Sequence, residues 1–263
     1  LGAVPSSTVG YEKIRNWAFQ YQNDEPGFMD YLLEGQPEPP KYFAMMKHLN
    51  KVERPLLVEV PKHSQLSTDA FKKAYTDGLK VIDTRNKVDF AKGFIPGSIN
   101  IQHNNSLATW AGWILNYQEQ FILVADASEM EEITRKLMRI GLDNIYGFIN
   151  NVDGLDIELQ TADVIDLATF KTFLGKDDVQ IVDVRGKTEY EAGHIEGAEH
   201  VFLGTLQDNL DKISKDKQVV IHCQSGDRAA IAYSILRRNG FDEVKNFSGG
   251  MKEWLANGGE TVN

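Results

Sequence analysis

The sequence predicts an α/β protein with two tandem domains of like fold. Each is expected to be a mostly parallel sheet with helices on both faces, and a short helical segment precedes the pair. Three observations lead there. The chain repeats itself: "VIDTRNKVDFAKGFIPGSI" from Val81 is echoed, one hundred residues on, by "IVDVRGKTEYEAGHIEGAE" from Ile181. Inside each copy, short apolar runs alternate with helix-period patterns, as in a parallel sheet covered on both faces. The length of 263 residues suits two compact domains and an extra segment. A repeat this long means two domains rather than a solenoid, whose units are far shorter. The expected boundaries are 1–54, 55–159 and 160–263.

The first segment does not repeat. Residues 12–19 predict a helix, and "LEGQPEPPKYFAMMKHLN" reads as a loop with Pro40 near the start of a second helix. "KVERP" reads as a linker. Its charge runs suit solvated helix faces, and it carries no metal-ligand cluster or glycine-rich phosphate loop. The chain opens on Leu1 rather than Met, so a fragment of a longer protein is expected.

The two copies then run in step. Asp83 meets Asp183, Arg85 meets Arg185, Lys87 meets Lys187, and Gly93 and Gly97 meet Gly193 and Gly197. Residues 80–82 and 179–182 read as a first buried strand, and residues 121–125 and 218–222 as a second. A helix follows each second strand, with Ile133 and Leu137 on one face in the first copy and Ile231, Ile235 and Leu236 in the other. Gly141 and Gly240 stand where C-terminal caps belong. In such sheets, sites lie at the carboxyl ends of the strands.

Composition removes several function classes. A net charge of −10 argues against nucleic acid or an anionic membrane as the main partner. No apolar run approaches a membrane span and no signal peptide is visible. One cysteine makes no intrachain disulfide, which suits a reducing, cytoplasmic setting.

That cysteine, Cys223, ends a strand run in "VVIHCQSGDRAAIAYSILRR". An inert core cysteine would also fit the end of a strand. Gly226, Arg228 and an immediate helix point instead to a reactive thiol. Free N–H groups and the dipole at a helix start favour an anion, and cysteines placed there become good nucleophiles. Residues 224–227 can curl so that their N–H groups face the sulfur, with Gly226 allowing the turn. Arg228 adds a planar donor for a bound anion, whereas the Asp227 carboxylate would oppose one unless it points outward.

The loop of Cys223, Gln224, Ser225, Gly226, Asp227 and Arg228, the upstream "IVDVR" and "EAGHIEGA", and the closing "NFSGGMKEW" together resemble the rhodanese family of sulfurtransferases. The resemblance implies a doubly wound α/β fold. It makes Cys223 the nucleophile that takes up sulfane sulfur, with Gln224, Ser225, Gly226, Asp227 and Arg228 binding the anionic donor. No metal or organic cofactor is needed for that chemistry. Related phosphatases and arsenate reductases have a loop one residue longer, so the four residues between Cys223 and Arg228 favour sulfur transfer. A non-enzymatic sulfur carrier or interaction module would share the same cradle.

The first copy shares the fold but lacks the thiol. Aligning the second strands sets Asp126 where Cys223 stands, and Glu129, Glu131 and Glu132 crowd the next helix start. This copy is expected to be catalytically silent. Because the Asp–Arg pair is present in both copies, Asp183 and Arg185 are expected to be structural support. His194, Trp254 and His222 are likewise expected to be structural.

The N-terminal segment, through "LGAVPSSTVGYEKIRNWAFQ" and "LLEGQPEPPKYFAMMKHLNKV", resembles the end of the metallo-β-lactamase-fold domain in bacterial persulfide dioxygenase–rhodanese fusions. The resemblance implies a parent protein in sulfide detoxification. Its iron would be held upstream of Leu1, leaving no cofactor in this chain. The implied partners are small sulfur anions and thiols such as thiosulfate or a low-molecular-weight persulfide. Copies of the parent could associate through that upstream domain.

Overall fold

A computed structural model describes residues 6–36, 38–54 and 56–263. The opening "LGAVP" and Pro55, which closes the expected linker, lie outside them. The chain divides into two compact units, Leu1–Glu38 and Pro39–Asn263. The division falls before the residue-54 boundary expected from sequence.

In the first unit, α1 (Val9–Arg15) is capped by the Thr8 hydroxyl, which accepts the Tyr11 N–H at 3.2 Å. The helix expected over 12–19 breaks at Asn16. That residue turns extended, and its side chain accepts the Ala18 N–H at 3.1 Å, opening a separate 3-10 turn over Trp17–Tyr21. A further helix, α2 (Glu25–Leu33), follows, capped by Asp24. Trp17 stacks on Phe28 and meets Tyr31 at a tilt of 40°, with ring centroids 5.7 and 4.4 Å away.

The second unit starts with α3 (Lys41–Leu49), and Pro40 stands at its N-cap as the sequence suggests. The first α/β domain then runs through α4 (Thr68–Thr76), β1 (Lys80–Asp83), α5 (Lys87–Lys92), β2 (Ile99–Asn100), α6 (Leu107–Ile114), β3 (Phe121–Val124), α7 (Met130–Met138) and β4 (Ile145–Ile149). The second runs through β5 (Val164–Ile165), α8 (Leu167–Lys171), β6 (Val179–Asp183), α9 (Lys187–Glu191), β7 (Ala198–His200), β8 (Gln218–His222), α10 (Asp227–Arg238), β9 (Val244–Phe247) and α11 (Gly250–Ala256). The strand orders are β2-β1-β3-β4 and β5-β9-β8-β6-β7, with every pair parallel. In the first sheet, the place of β5 is held only by a bridge from Gln65 to Phe148.

Alternation along each strand sorts its side chains between two faces. In the first sheet, Val81, Ile122 and Val124 pack with Phe71 of α4, while Ile82 and Leu123 face Ile133 and Leu137 of α7. In the second, Val220 packs with Phe170, Met251 and Trp254, while Val219, Ile221 and Cys223 face Ile231 and Ile235 of α10. The faces toward α7 and α10 belong to one apolar cluster, so the two α/β domains share a core. Polar links cross the same seam. The Asn100 N–H donates to the Ser234 hydroxyl at 3.0 Å, and Arg238 donates to the Gly97 carbonyl at 2.6 Å. Gly141 and Gly240 take positive φ after α7 and α10, as cap glycines do.

Candidate active site

The site grows from the end of β8. This strand lies between β9 and β6, and its last residue, His222, pairs with Asp183. Cys223 follows and turns to the α10 side, where it is 1% exposed. Gly226 then adopts φ 90° as the N-cap of α10, which brings its N–H to 3.1 Å from the Cys223 Sγ. A Cβ there would lie 2.4 Å from the Ser248 carbonyl oxygen, so both backbone angle and space demand glycine. The loop is held from below by the start of α11. Met251 and Lys252 donate their N–H groups to the carbonyls of Cys223 and Gln224, both at 2.9 Å. Gly250, at φ 58°, permits this approach; a Cβ on it would stand 2.3 Å from the Cys223 carbonyl oxygen.

Gln224 and Ser225 are exposed on the loop, and Asp227 and Arg228 are partly buried. Arg228 does not extend free toward an anion. Its two terminal nitrogens fork onto Glu189 of α9, at 2.5 and 2.8 Å. Those hydrogen bonds hold the Glu189 carboxyl below its usual range, against the opposing effect of partial burial. Asp227 lines the mouth of the site rather than turning away from it, and its carboxylate takes a 2.8 Å hydrogen bond from Lys87 Nζ, which offsets its charge. Lys87 also donates to the Ser225 carbonyl. Above the loop opens a cleft of about 260 Å³, lined by Ser225, Asp227, Arg228 and Ile231 on one side and Gln102, Asn104, Ser106 and Trp110 on the other. Sequence reasoning missed Glu189, Lys87 and Gln102. Glu189 could have been sought as a partner for an arginine at a helix start. Nothing local in the sequence ties the other two to a loop over a hundred residues away.

The Asp–Arg pairs of the two domains are both held in local contacts at the ends of their first strands. Arg185 donates from its backbone N–H and Nε to Asp183, and from Nη2 to the Gly193 carbonyl at 2.8 Å. Arg85 makes the same contacts with Asp83 and Gly93. The pair thus ties the end of the first strand to the loop after the following helix in both domains. His222 faces the opposite side of the sheet from the sulfur, with Phe170 edge-on at 6.2 Å. Burial pushes its imidazole down in pKa, outweighing the nearby Asp183 carboxylate. His194 stacks on Tyr190 at 3.8 Å, and Trp254 packs in the core with its indole N–H on the Glu260 carbonyl.

One expectation is corrected. The strand registers pair Asp83 with Val124 and Asp183 with His222. The residue at the place of Cys223 is therefore Ala125, as buried as the cysteine, and not Asp126. Asp126 lies one step further along, on the exposed loop, where its carboxylate accepts the Ser128 N–H and hydroxyl. Among the described residues, no group of three or more His, Cys, Asp or Glu side chains is placed to hold a metal, and no helix is long and apolar enough to cross a membrane.

The profile of the rhodanese-like domain matches residues 67–152 and 166–257, most of the chain and both sheets. The chain belongs to the rhodanese-like domain family. It is 34% identical over 178 residues to a Bacillus subtilis (strain 168) relative, "Putative sulfur carrier protein YrkF", covering 67% of this chain and 89% of that one. "Uncharacterized protein YqhL" of the same organism is 40% identical over 80 residues, or 30% of this chain, which spans 64% of its length. "Thiosulfate sulfurtransferase GlpE" of Coxiella burnetii (strain RSA 493 / Nine Mile phase I) is 36% identical over 81 residues, covering 31% of this chain and 76% of the relative. Among solved structures, a metallo-beta-lactamase from Staphylococcus aureus subsp. aureus COL is 36% identical with a TM-score of 0.45, over 57% of this chain and 41% of that one. In rhodanese-like terms, the second domain carries the cysteine loop, and the first keeps the fold with an alanine at the cysteine's place.

Proposed function

We propose that this chain is a sulfurtransferase that carries sulfane sulfur on Cys223. The observation that carries the reading is the cradle: a lone thiol at the head of α10 with the Gly226 N–H on its sulfur at 3.1 Å. The name and likeness of the Coxiella thiosulfate sulfurtransferase support it. In the first half-reaction, the Cys223 thiolate attacks the outer sulfur of thiosulfate. The new S–S bond forms as the bond to the oxidised sulfur breaks, and sulfite leaves with the electron pair. In the second, an acceptor thiolate or cyanide attacks the terminal persulfide sulfur, and the Cys223 thiolate is released. Neither half needs a metal or organic cofactor. The loop N–H groups steady the persulfide anion as oxyanion donors steady a developing charge.

On this reading, the partners are small sulfur anions and thiols, with thiosulfate or a low-molecular-weight thiol persulfide as donor. The setting is the cytoplasm. The N-terminal segment is then the end of a metallo-β-lactamase-fold domain in a longer persulfide dioxygenase–sulfurtransferase acting in sulfide detoxification. Iron and self-association would belong to that other domain.

Intact mass after incubation with thiosulfate or an alkyl persulfide tests the reading. Wild type is expected to gain one sulfur atom, lost on adding cyanide, and Cys223→Ser to gain none while keeping its fold. A folded wild type that gains no sulfur from any sulfane donor would overturn it. The likeness to YrkF keeps a stoichiometric sulfur carrier as the second reading. That protein would show the mass gain without repeated turnover.

A further inference from the structure

We infer that the cysteine-less domain supplies the anion-reading half of the sulfur site. Lys87 balances the charge of the loop, and Gln102 offers its free amide N–H to an oxygen of the bound donor. The inference rests on the sulfurtransferase reading of Cys223 and says which residues outside the cysteine domain serve it.

The charges around the cleft make the first argument. Arg228 is matched by Glu189, so that pair has no positive charge to spare. Asp227 is left, and it is matched by Lys87 from the other domain. Remove Lys87 and the four-residue set carries a net negative charge beside a thiolate that must receive an anion. The ammonium is also close to the cradle itself. It lies 2.9 Å from where a Cβ on Gly226 would stand, and the Gly226 N–H is the group that holds the sulfur. Such a charge, partly screened from water, acts on a small anion more strongly than one at the open surface.

Gln102 makes the second. It is 8% exposed and lines the cleft, and its Oε1 accepts the Lys87 backbone N–H at 3.0 Å. Its Nε2 is buried and has no hydrogen-bond partner among the described residues. A buried amide N–H with no acceptor is unfavourable, and a ligand oxygen brought into the cleft satisfies it. A sulfonate or sulfite oxygen has that chemistry, and a purely alkyl sulfur chain does not. Both residues belong to the domain that has Ala125 in place of a thiol, so this domain contributes recognition while its neighbour contributes the nucleophile.

Steady-state transfer from thiosulfate to cyanide, together with alkylation of Cys223 by neutral iodoacetamide, tests the inference. In Lys87→Met and in Gln102→Glu, the KM for thiosulfate is expected to rise about tenfold, while iodoacetamide labelling stays within about twofold of wild type. Lys87→Arg should recover most of the loss. Lys187→Met, the counterpart one hundred residues on, which pairs only with Glu191, should change nothing. Gln102→Met serves should the buried carboxylate variant misfold. A thiosulfate KM within about twofold of wild type in the Lys87 and Gln102 variants overturns the inference. So does an equal change in both rates, which would mean a merely structural role. If wild type itself takes no sulfur while Cys223 alkylates normally, the sulfurtransferase reading has failed, and this one with it.

Discussion

At the scale of single residues, two side chains one peptide apart have opposite surroundings. Cys223 faces α10 and receives an N–H, whereas His222 faces Phe170 and, among the described residues, neither ring nitrogen has a hydrogen-bond partner. Burial lowers the His222 pKa from its ordinary 6.5, so the folded state keeps the ring neutral. The sign follows. Below the unfolded value the unfolded chain binds a proton that the folded chain refuses, so stability is full above that value and lost as pH falls through it. The unfolding free energy should therefore fall on going from about pH 7.5 to about pH 5.5, by at most about 1.4 kcal/mol per pH unit for one proton, and the thermal midpoint should fall with it. His222→Phe should flatten that slope. An unchanged slope in the variant would assign the pH dependence to other groups. The sequence showed that His222 and the thiol alternate along a strand, hence the correct expectation that the ring points away. It did not show Arg228 engaged by Glu189, because a long-range ion pair leaves no local pattern.

At the scale of elements, the sulfur loop is defined by what supports it. β8 delivers the cysteine, α10 offers N–H groups, and α11 donates its first N–H groups to the carbonyls of Cys223 and Gln224. The sequence marked the strand and the helix, because apolar runs and periodicity are local signals. It did not mark the contact between the start of α11 and the sulfur loop. Gly250→Ala tests that contact. The positive φ alone is worth about 1–3 kcal/mol, and the close carbonyl adds to it. Urea unfolding should show a loss of at least that size, with sulfur uptake reduced at temperatures where the variant is still folded. A loss under about 0.5 kcal/mol, the range of ordinary surface changes, would mean that α11 does not brace the loop. Register is the other element-scale lesson. Ala125, not Asp126, holds the place of Cys223, because strand pairing fixes the register and sequence alignment of two short apolar runs does not. The pairing of Asp83 with Val124 removes the ambiguity.

At the scale of the whole molecule, the two α/β domains have a common interior. Their facing helices share a single apolar cluster, and the Asn100–Ser234 hydrogen bond is buried in the seam. Calorimetry should record one transition for the pair. Two well-separated transitions would mean that the shared core is too small to couple them. The repeat made the two like domains legible in the sequence from the matched Asp–Arg pairs onward. Their common interior leaves a fainter trace, the run from Ala229 to Leu236 in α10, which is buried on every side and not along one stripe.

The burial of the one cysteine also bears on how this protein ages. A single-thiol protein in oxidant commonly ends as a cross-linked dimer. Here the sulfur lies behind its own loop, and a bond between two copies would need their sulfurs about 2.05 Å apart. At 1% exposure that meeting is sterically barred. Peroxide small enough to enter would act on each molecule separately, and a resident persulfide would be oxidised before the protein's own sulfur. A low-molecular-weight thiol can then displace the oxidised outer atom as sulfite, leaving a mixed disulfide on Cys223, and a second thiol frees the Cys223 thiolate as a small disulfide leaves, so cargo doubles as sacrificial armour.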